Sequence, residues 1–135
     1  MELVVDANVL VSALLKQGTT RELMLNTDLI LYSSDFIVEE FFEHLDKLAR
    51  KAQLPKTVFQ DQAEELIVES GLRIIPKNDV REFVKKAEQI SPDPDDVLYF
   101  ATAIRLNCGI WSNDKELKKQ KHVKIYSTSD LLQLV

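Results

Sequence analysis

The chain has 135 residues, enough for one domain with a substantial core. Hydrophobic residues make up 45% and charged residues 29%, which excludes a disordered or fibrous chain. A net charge of -5 argues against a scaffold that coats nucleic acid, and the single Cys108 excludes an intramolecular disulfide and a cysteine zinc cluster.

Taken in order, residues 2 to 6 read as a strand. Leu3-Val4-Val5 is an apolar run that delivers Asp6 to its carboxyl end. No basic stretch precedes it, and no apolar run nears the ~20 residues of a membrane helix. A cytoplasmic protein with neither signal peptide nor membrane span is expected. Asn8 to about Leu15 is a short helix, stopped near Gly18, and Thr19 or Thr20 caps a second helix to about Asn26. Leu29 to Ser33 is a second strand. Ser34 and Asp35 then cap a long helix, about 36 to 52, with Ile37, Phe41, Leu45 and Leu48 on its apolar stripe.

Pro55 suits the first position of a helix over about 55 to 69, which Gly71 ends. Leu72 to Ile75 is a third strand. Asn78 or Asp79 caps a helix from Val80 to about Ile90. Pro94 opens a further helix to about Leu106, with Asp93 as its cap. Gly109 to Ser112 is a fourth strand, with Cys108 a small buried residue at its start. Lys115 to about Gln120 is a short helix, Val123 to Tyr126 a fifth strand, and Ser127 or Thr128 caps a last helix. Strands alternate with helices throughout. That pattern predicts a single α/β domain, 1–135, with a largely parallel sheet and helices on both faces.

The acidic residues gather at one place in this plan. Asp6 ends strand one and Asp114 follows strand four, so both lie at the carboxyl edge of a parallel sheet, where ligands bind. Either alone reads as a helix cap. Together they point to a shared site. Asp93, Asp95 and Asp96 fit the first turn of a helix, where the dipole favours negative charge by about 0.3–1 kcal/mol. Asp96 also adjoins the apolar face of Val97, Ala101 and Ile104, from which it can point along the sheet edge. Glu39 and Glu43 lie opposite the stripe of the long helix, on its solvent side. Glu40 borders the stripe, beside His44, and can reach the same edge.

Asp6, Glu40, Asp96 and Asp114 cannot all stay ionised a few Å apart without a cation. Oxygen ligands favour a hard divalent ion, Mg2+ or Mn2+. Such an ion recruits a phosphodiester that a bare acidic pocket repels, and the chemistry implied is hydrolysis by water. The lysines at 115, 118, 119, 121 and 124 read either as a solvated face or as a phosphate track.

These residues carry a family resemblance across the whole chain. Val4-Val5-Asp6-Ala7-Asn8-Val9-Leu10, Glu39-Glu40-Phe41, Asp96-Val97-Leu98-Tyr99-Phe100-Ala101-Thr102-Ala103 and Trp111-Ser112-Asn113-Asp114-Lys115 resemble, in order, the four motifs of PIN-domain proteins of the VapC-like ribonuclease type. Phe41 departs from the smaller aliphatic residue usual there. The resemblance implies a three-layer α/β/α sandwich around a parallel sheet of about five strands, order 3-2-1-4-5. It implies a Mg2+- or Mn2+-dependent endoribonuclease acting on RNA, with Asp6, Glu40, Asp96 and Asp114 as catalytic and metal-binding residues. Asn8 and Ser112 match supporting polar positions, and Asp93 a reserve acid. A homodimer or higher homo-oligomer and a small antitoxin partner are further implications.

Two other readings compete. A phosphatase of the haloacid-dehalogenase type would use Asp6 as nucleophile, but Asn8 stands where its second acid belongs. A non-catalytic RNA- or protein-binding module would not need the acids.

Overall fold

The computed structural model describes residues 1–16 and 18–135. Five parallel strands form one sheet in the order β3-β2-β1-β4-β5, the predicted fold class and strand order. They are β1 (Glu2–Val5), β2 (Ile30–Ser34), β3 (Arg73–Ile75), β4 (Gly109–Trp111) and β5 (Ile125–Tyr126). β1 is central, with Val4 level with Tyr32 on one side and Ile110 on the other. The order reverses between β1 and β4, and such a reversal opens a crevice at the carboxyl ends of the strands.

Each face of the sheet carries its own core. Leu3, Val5, Leu31 and Trp111 meet α1 (Ala7–Leu15), α2 (Thr19–Met24), α3 (Phe36–Glu43), α4 (Leu45–Lys51), α5 (Lys56–Ser70) and α9 (Thr128–Leu134). Val4, Tyr32, Ile110 and Ile125 meet α6 (Lys77–Val80), α7 (Val84–Ile90) and α8 (Val97–Leu106). Burying a Val, Leu or Ile side chain fully contributes about 1.5–3 kcal/mol, so the doubly covered β1 is anchored firmly. No helix among the described residues is long and apolar enough to cross a membrane.

Most element boundaries lie within one or two residues of those expected, and the larger departures have physical causes. The long helix predicted over 36 to 52 is two helices, broken at His44 (φ -106°, ψ 12°). Its buried residues, Ile37, Phe41, Leu45 and Ala49, recur every fourth position. In a straight helix each step of four drifts by about 40°. The break returns Leu45 and Ala49 to the core that Ile37 and Phe41 occupy.

Asp35 precedes α3 but does not cap it with its side chain. Its Oδ2 accepts from Lys77 N–H at 3.2 Å, and α6 therefore begins right after Pro76, earlier than Asn78 or Asp79 would place it. The predicted helix from Val80 to Ile90 is interrupted by a 3-10 turn at Arg81–Phe83. Gly18, not Thr19 or Thr20, precedes α2, and Pro55 stands just before α5 rather than inside it. Gly71 ends α5 in the left-handed region (φ 69°), as its sequence position demands.

Candidate active site

Asp6 leaves the end of β1 and caps α1, and it is only 6% exposed. Its Oδ1 accepts from Asn8 N–H at 3.2 Å, and its Oδ2 accepts from the Ser112 hydroxyl at 2.7 Å. Ser112, just past β4, accepts in turn from Asp114 N–H at 3.1 Å. The short chain Asp6–Ser112–Asp114 thus ties the ends of the two central strands together. Asp114 also caps the 3-10 turn at Lys115–Lys119, its Oδ1 accepting from Glu116 N–H at 3.0 Å. Capping and site formation therefore coexist in one residue.

Burial is the first cause that raises the Asp6 carboxyl above its ordinary range, with Asp114 adding repulsion against its hydrogen bonds. Asp96 stands at the N-cap position of α8 without a capping hydrogen bond from its side chain, and its carboxyl is pushed up to about 7, first by burial and then by Asp6, Asp93, Asp114 and Asp95. Glu40, on α3, is raised by burial and by Asp6, with His44 opposing. The four acids predicted to share a site are therefore linked electrostatically, through Asp6 above all. Among the leading influences on Asp6, Glu40 and Asp96, His44 is the sole base.

The supporting residues divide. Ser112 binds the Asp6 carboxylate directly. Asn8 gives its backbone N–H to Asp6, and its side chain borders a groove that Glu40 also lines. Asp93 caps the Pro94–Asp96 turn, accepting from Asp95 N–H at 2.9 Å, so its carboxylate is committed to structure while its charge still acts on Asp96.

Two participants escaped the sequence reading. Tyr99 lies fully within the core, and its hydroxyl accepts from Ala7 N–H at 3.2 Å. Burial, then the charges of Asp6, Glu40 and Asp96, hold its phenol far above the ordinary range. The available signal was spacing, since Tyr99 follows Asp96 by one helical turn and shares its face. Asp95 was assigned to the helix dipole, yet its charge reaches both Glu40 and Asp96.

Does this donor set fit a cation? The candidate ligands are all hard oxygens, and among the described residues none of the four carboxylates joins an ion pair with a lysine or arginine. Ser34 adds a buried hydroxyl without a partner at the carboxyl end of β2, the strand next to β1. Among the described residues no three His, Cys, Asp or Glu side chains stand close enough to hold an ion alone. The site is an acidic basin rather than a closed cage. An open site of this kind has room for a hard divalent ion that keeps several waters and takes only one or two carboxylates.

Three of the five lysines after β4 are committed elsewhere. Lys118 pairs with Asp130 at 3.0 Å, Lys119 with Glu116 at 2.6 Å, and Lys124 lies over the Tyr126 ring at 5.3 Å from its centroid. For these three the contacts favour the solvated-face reading over the phosphate track.

A family model described as the PIN domain matches residues 4–133. Among solved structures, VapBC2 from Rickettsia felis, crystallised bound to a DNA fragment from its promoter, superposes with a TM-score of 0.66. That match covers 94% of this chain and 98% of the other at 19% identity, a likeness of fold. No curated protein matches the chain.

Proposed function

From the premise that this chain belongs to the PIN-domain family, we propose that it is a divalent-metal-dependent endoribonuclease, hydrolysing RNA phosphodiester bonds at the basin of Asp6, Glu40, Asp96 and Asp114. One observation carries the proposal. Carboxylates from separate elements meet at one sheet edge and raise one another's pKa values, and among the described residues none of them joins an ion pair with a lysine or arginine. A structural cluster of this kind gains nothing without a cation.

Mg2+ or Mn2+, when bound, supplies neutralising charge and Lewis acidity toward the phosphodiester. The chain's own residues supply position. Ser112 and Asn8 N–H fix both oxygens of Asp6, so this carboxylate presents a set direction. Tyr99 holds the start of α1 through Ala7, keeping Asp6 and Asn8 in register with α8. Asp96 and Asp114 flank Asp6 from the other elements. The hydrogen-bonded state of both Asp6 oxygens also makes it a poor nucleophile, which disfavours the phosphoaspartyl reading.

The partner expectations are proposals of the same kind. The structural relative is a VapBC2 assembly, and we extend to this chain a small antitoxin partner and self-association as a dimer. Co-purification with the product of an adjacent small gene tests the first, and light scattering the second.

The decisive measurement is cleavage of single-stranded RNA with Mg2+ or Mn2+. Wild type should cleave and lose activity in chelator. Asp6→Asn, Asp96→Asn and Asp114→Asn should each fall by at least about a hundredfold, roughly 2.7 kcal/mol in barrier height. Activity that survives all three substitutions overturns the assignment.

A further inference from the structure

Beside the acidic basin lies a groove of about 330 Å³ between α1 and the α3–α4 pair. Glu40 and Asn8 line it, so it shares Glu40 with the site. Its floor is apolar, from Leu10, Ile37 and Phe41. Its outer rim is basic, from His44, Lys47 and Lys51, all three exposed.

The rim lysines differ from Lys118 and Lys119 after β4, and resemble Lys115 and Lys121 there, in joining no ion pair among the described residues. Among the described residues, the ion pairs of this protein engage Lys56, Lys77, Lys118 and Lys119, and neither Lys47 nor Lys51 joins one. Glu43, four residues before Lys47, makes no ion pair with it, although that spacing commonly allows one. In a chain of net charge -5, unmatched cations on one rim mark where a polyanion can approach. The helix break at His44 turns α4 so that Lys47 and Lys51 share the groove with Glu40. Along α4 the two lysines are separated by roughly 6 Å of rise, a step that suits neighbouring phosphates of an extended strand.

We propose that this groove is the track for single-stranded RNA on one side of the bond to be cut, with Lys47 and Lys51 holding successive phosphates and the apolar floor receiving sugar and base faces. The proposal rests on the ribonuclease reading, with whose site the groove shares Glu40. It assigns Lys47 and Lys51 to substrate binding and not to the chemical step. Charge complementarity with a phosphate backbone and the Glu40 shared with the basin favour RNA over a peptide as occupant.

The test uses the full chain, a short fluorescein-labelled 2′-O-methyl oligouridine that resists cleavage, and a matching cleavable RNA, both with Mg2+. Lys47→Gln/Lys51→Gln should weaken oligonucleotide binding about tenfold at low salt. It should also flatten the slope of log affinity against log salt by about 1.4, the value for two lost single-strand phosphate contacts. In cleavage the larger part of the loss should fall on KM. Lys47→Arg/Lys51→Arg should restore both readouts. Lys118→Gln/Lys119→Gln, which removes the same net charge elsewhere, should do neither.

If binding and salt slope match wild type in the Lys47/Lys51 variant while cleavage persists, the track is overturned and the ribonuclease reading stands. If wild type binds without cleaving and the lysines govern that binding, the ribonuclease reading fails and the track stands. Absence of both binding and cleavage in wild type overturns both.

Discussion

Two strand-to-helix junctions at the same sheet edge use an aspartate in opposite ways. At β1–α1, Asp6 accepts from Asn8 N–H and from the Ser112 hydroxyl. At β5–α9, Asp130 accepts from Ser127 N–H and from Lys118, each at 3.0 Å, while the Ser127 hydroxyl accepts from Asp130 N–H to complete a capping box. Each carboxylate has two donors. Yet Asp6 is held above the ordinary range by burial, whereas Asp130 is drawn down to about 2 by the Ser127 and Lys118 hydrogen bonds. The number of hydrogen bonds does not separate them. Burial and the sign of the neighbouring charge do. A carboxylate matched to a lysine in solvent is drawn down; a buried one facing other carboxylates is pushed up.

The largest contrast should appear in activity. Asp6→Ala should abolish RNA cleavage, a loss of at least about a hundredfold, while Asp130→Ala should retain it. Equal losses from both substitutions, measured as initial rates with Mn2+, would erase the distinction. The next effect concerns the link between the two central strands. Ser112→Ala removes the donor to Asp6 and the acceptor for Asp114 N–H, both at a nearly inaccessible position. It should destabilise by about 1–3 kcal/mol, the cost of leaving such groups unpaired. Ser127→Ala, which breaks the capping box in a more open setting, should cost about 1 kcal/mol. Denaturant unfolding of both variants checks the order, and a larger loss at Ser127 would contradict it.

How far the site was legible follows from the same contrast. Asp6 and Asp114 could be read because one ends an apolar strand run and the other follows shortly after one, which fixes both the strand and its terminus. Glu40 could be read from its place on the border of a helical stripe. Tyr99 could not, because a tyrosine at helical spacing looks like core, and it is core; its hydroxyl finds Ala7 only once α8 is laid against β1. The break at His44 was hidden for a related reason. A four-residue repeat fits an α-helix over a few turns, and only the position of the core shows that the drift must be corrected. Asp35 looked like a local cap, but tertiary packing sends its carboxylate to the start of α6. Pairing between distant elements was thus the main thing local pattern lacked.

The smallest effects should be the pH windows of the two junctions, and they should have opposite signs. Asp96 has an ordinary value of 3.8 and about 7 in the fold. Between those values the folded chain binds more protons than the unfolded one, so stability falls as pH rises through this interval and levels off above it. Asp130 runs the other way: its folded value of about 2 lies below its ordinary 3.8, so its contribution is present above 3.8 and is lost as pH falls toward 2. Metal-free protein should therefore be squeezed from both sides, with its melting temperature greatest in mildly acid solution. Asp96→Asn should flatten the neutral limb and raise the melting temperature at pH 8 in chelator. A rise of roughly 3–6 °C is expected, the shift that about 1 kcal/mol produces in a domain of this size once solvent screening is allowed for. Asp130→Asn should flatten only the acid limb, by less, because that carboxylate is open to solvent. Mg2+ or Mn2+ at pH 8 should reproduce the effect of Asp96→Asn on wild type by binding the folded state, and should leave the acid limb as it was. A neutral limb that neither the ion nor Asp96→Asn alters would mean that the carboxylates at the sheet edge do not share one field.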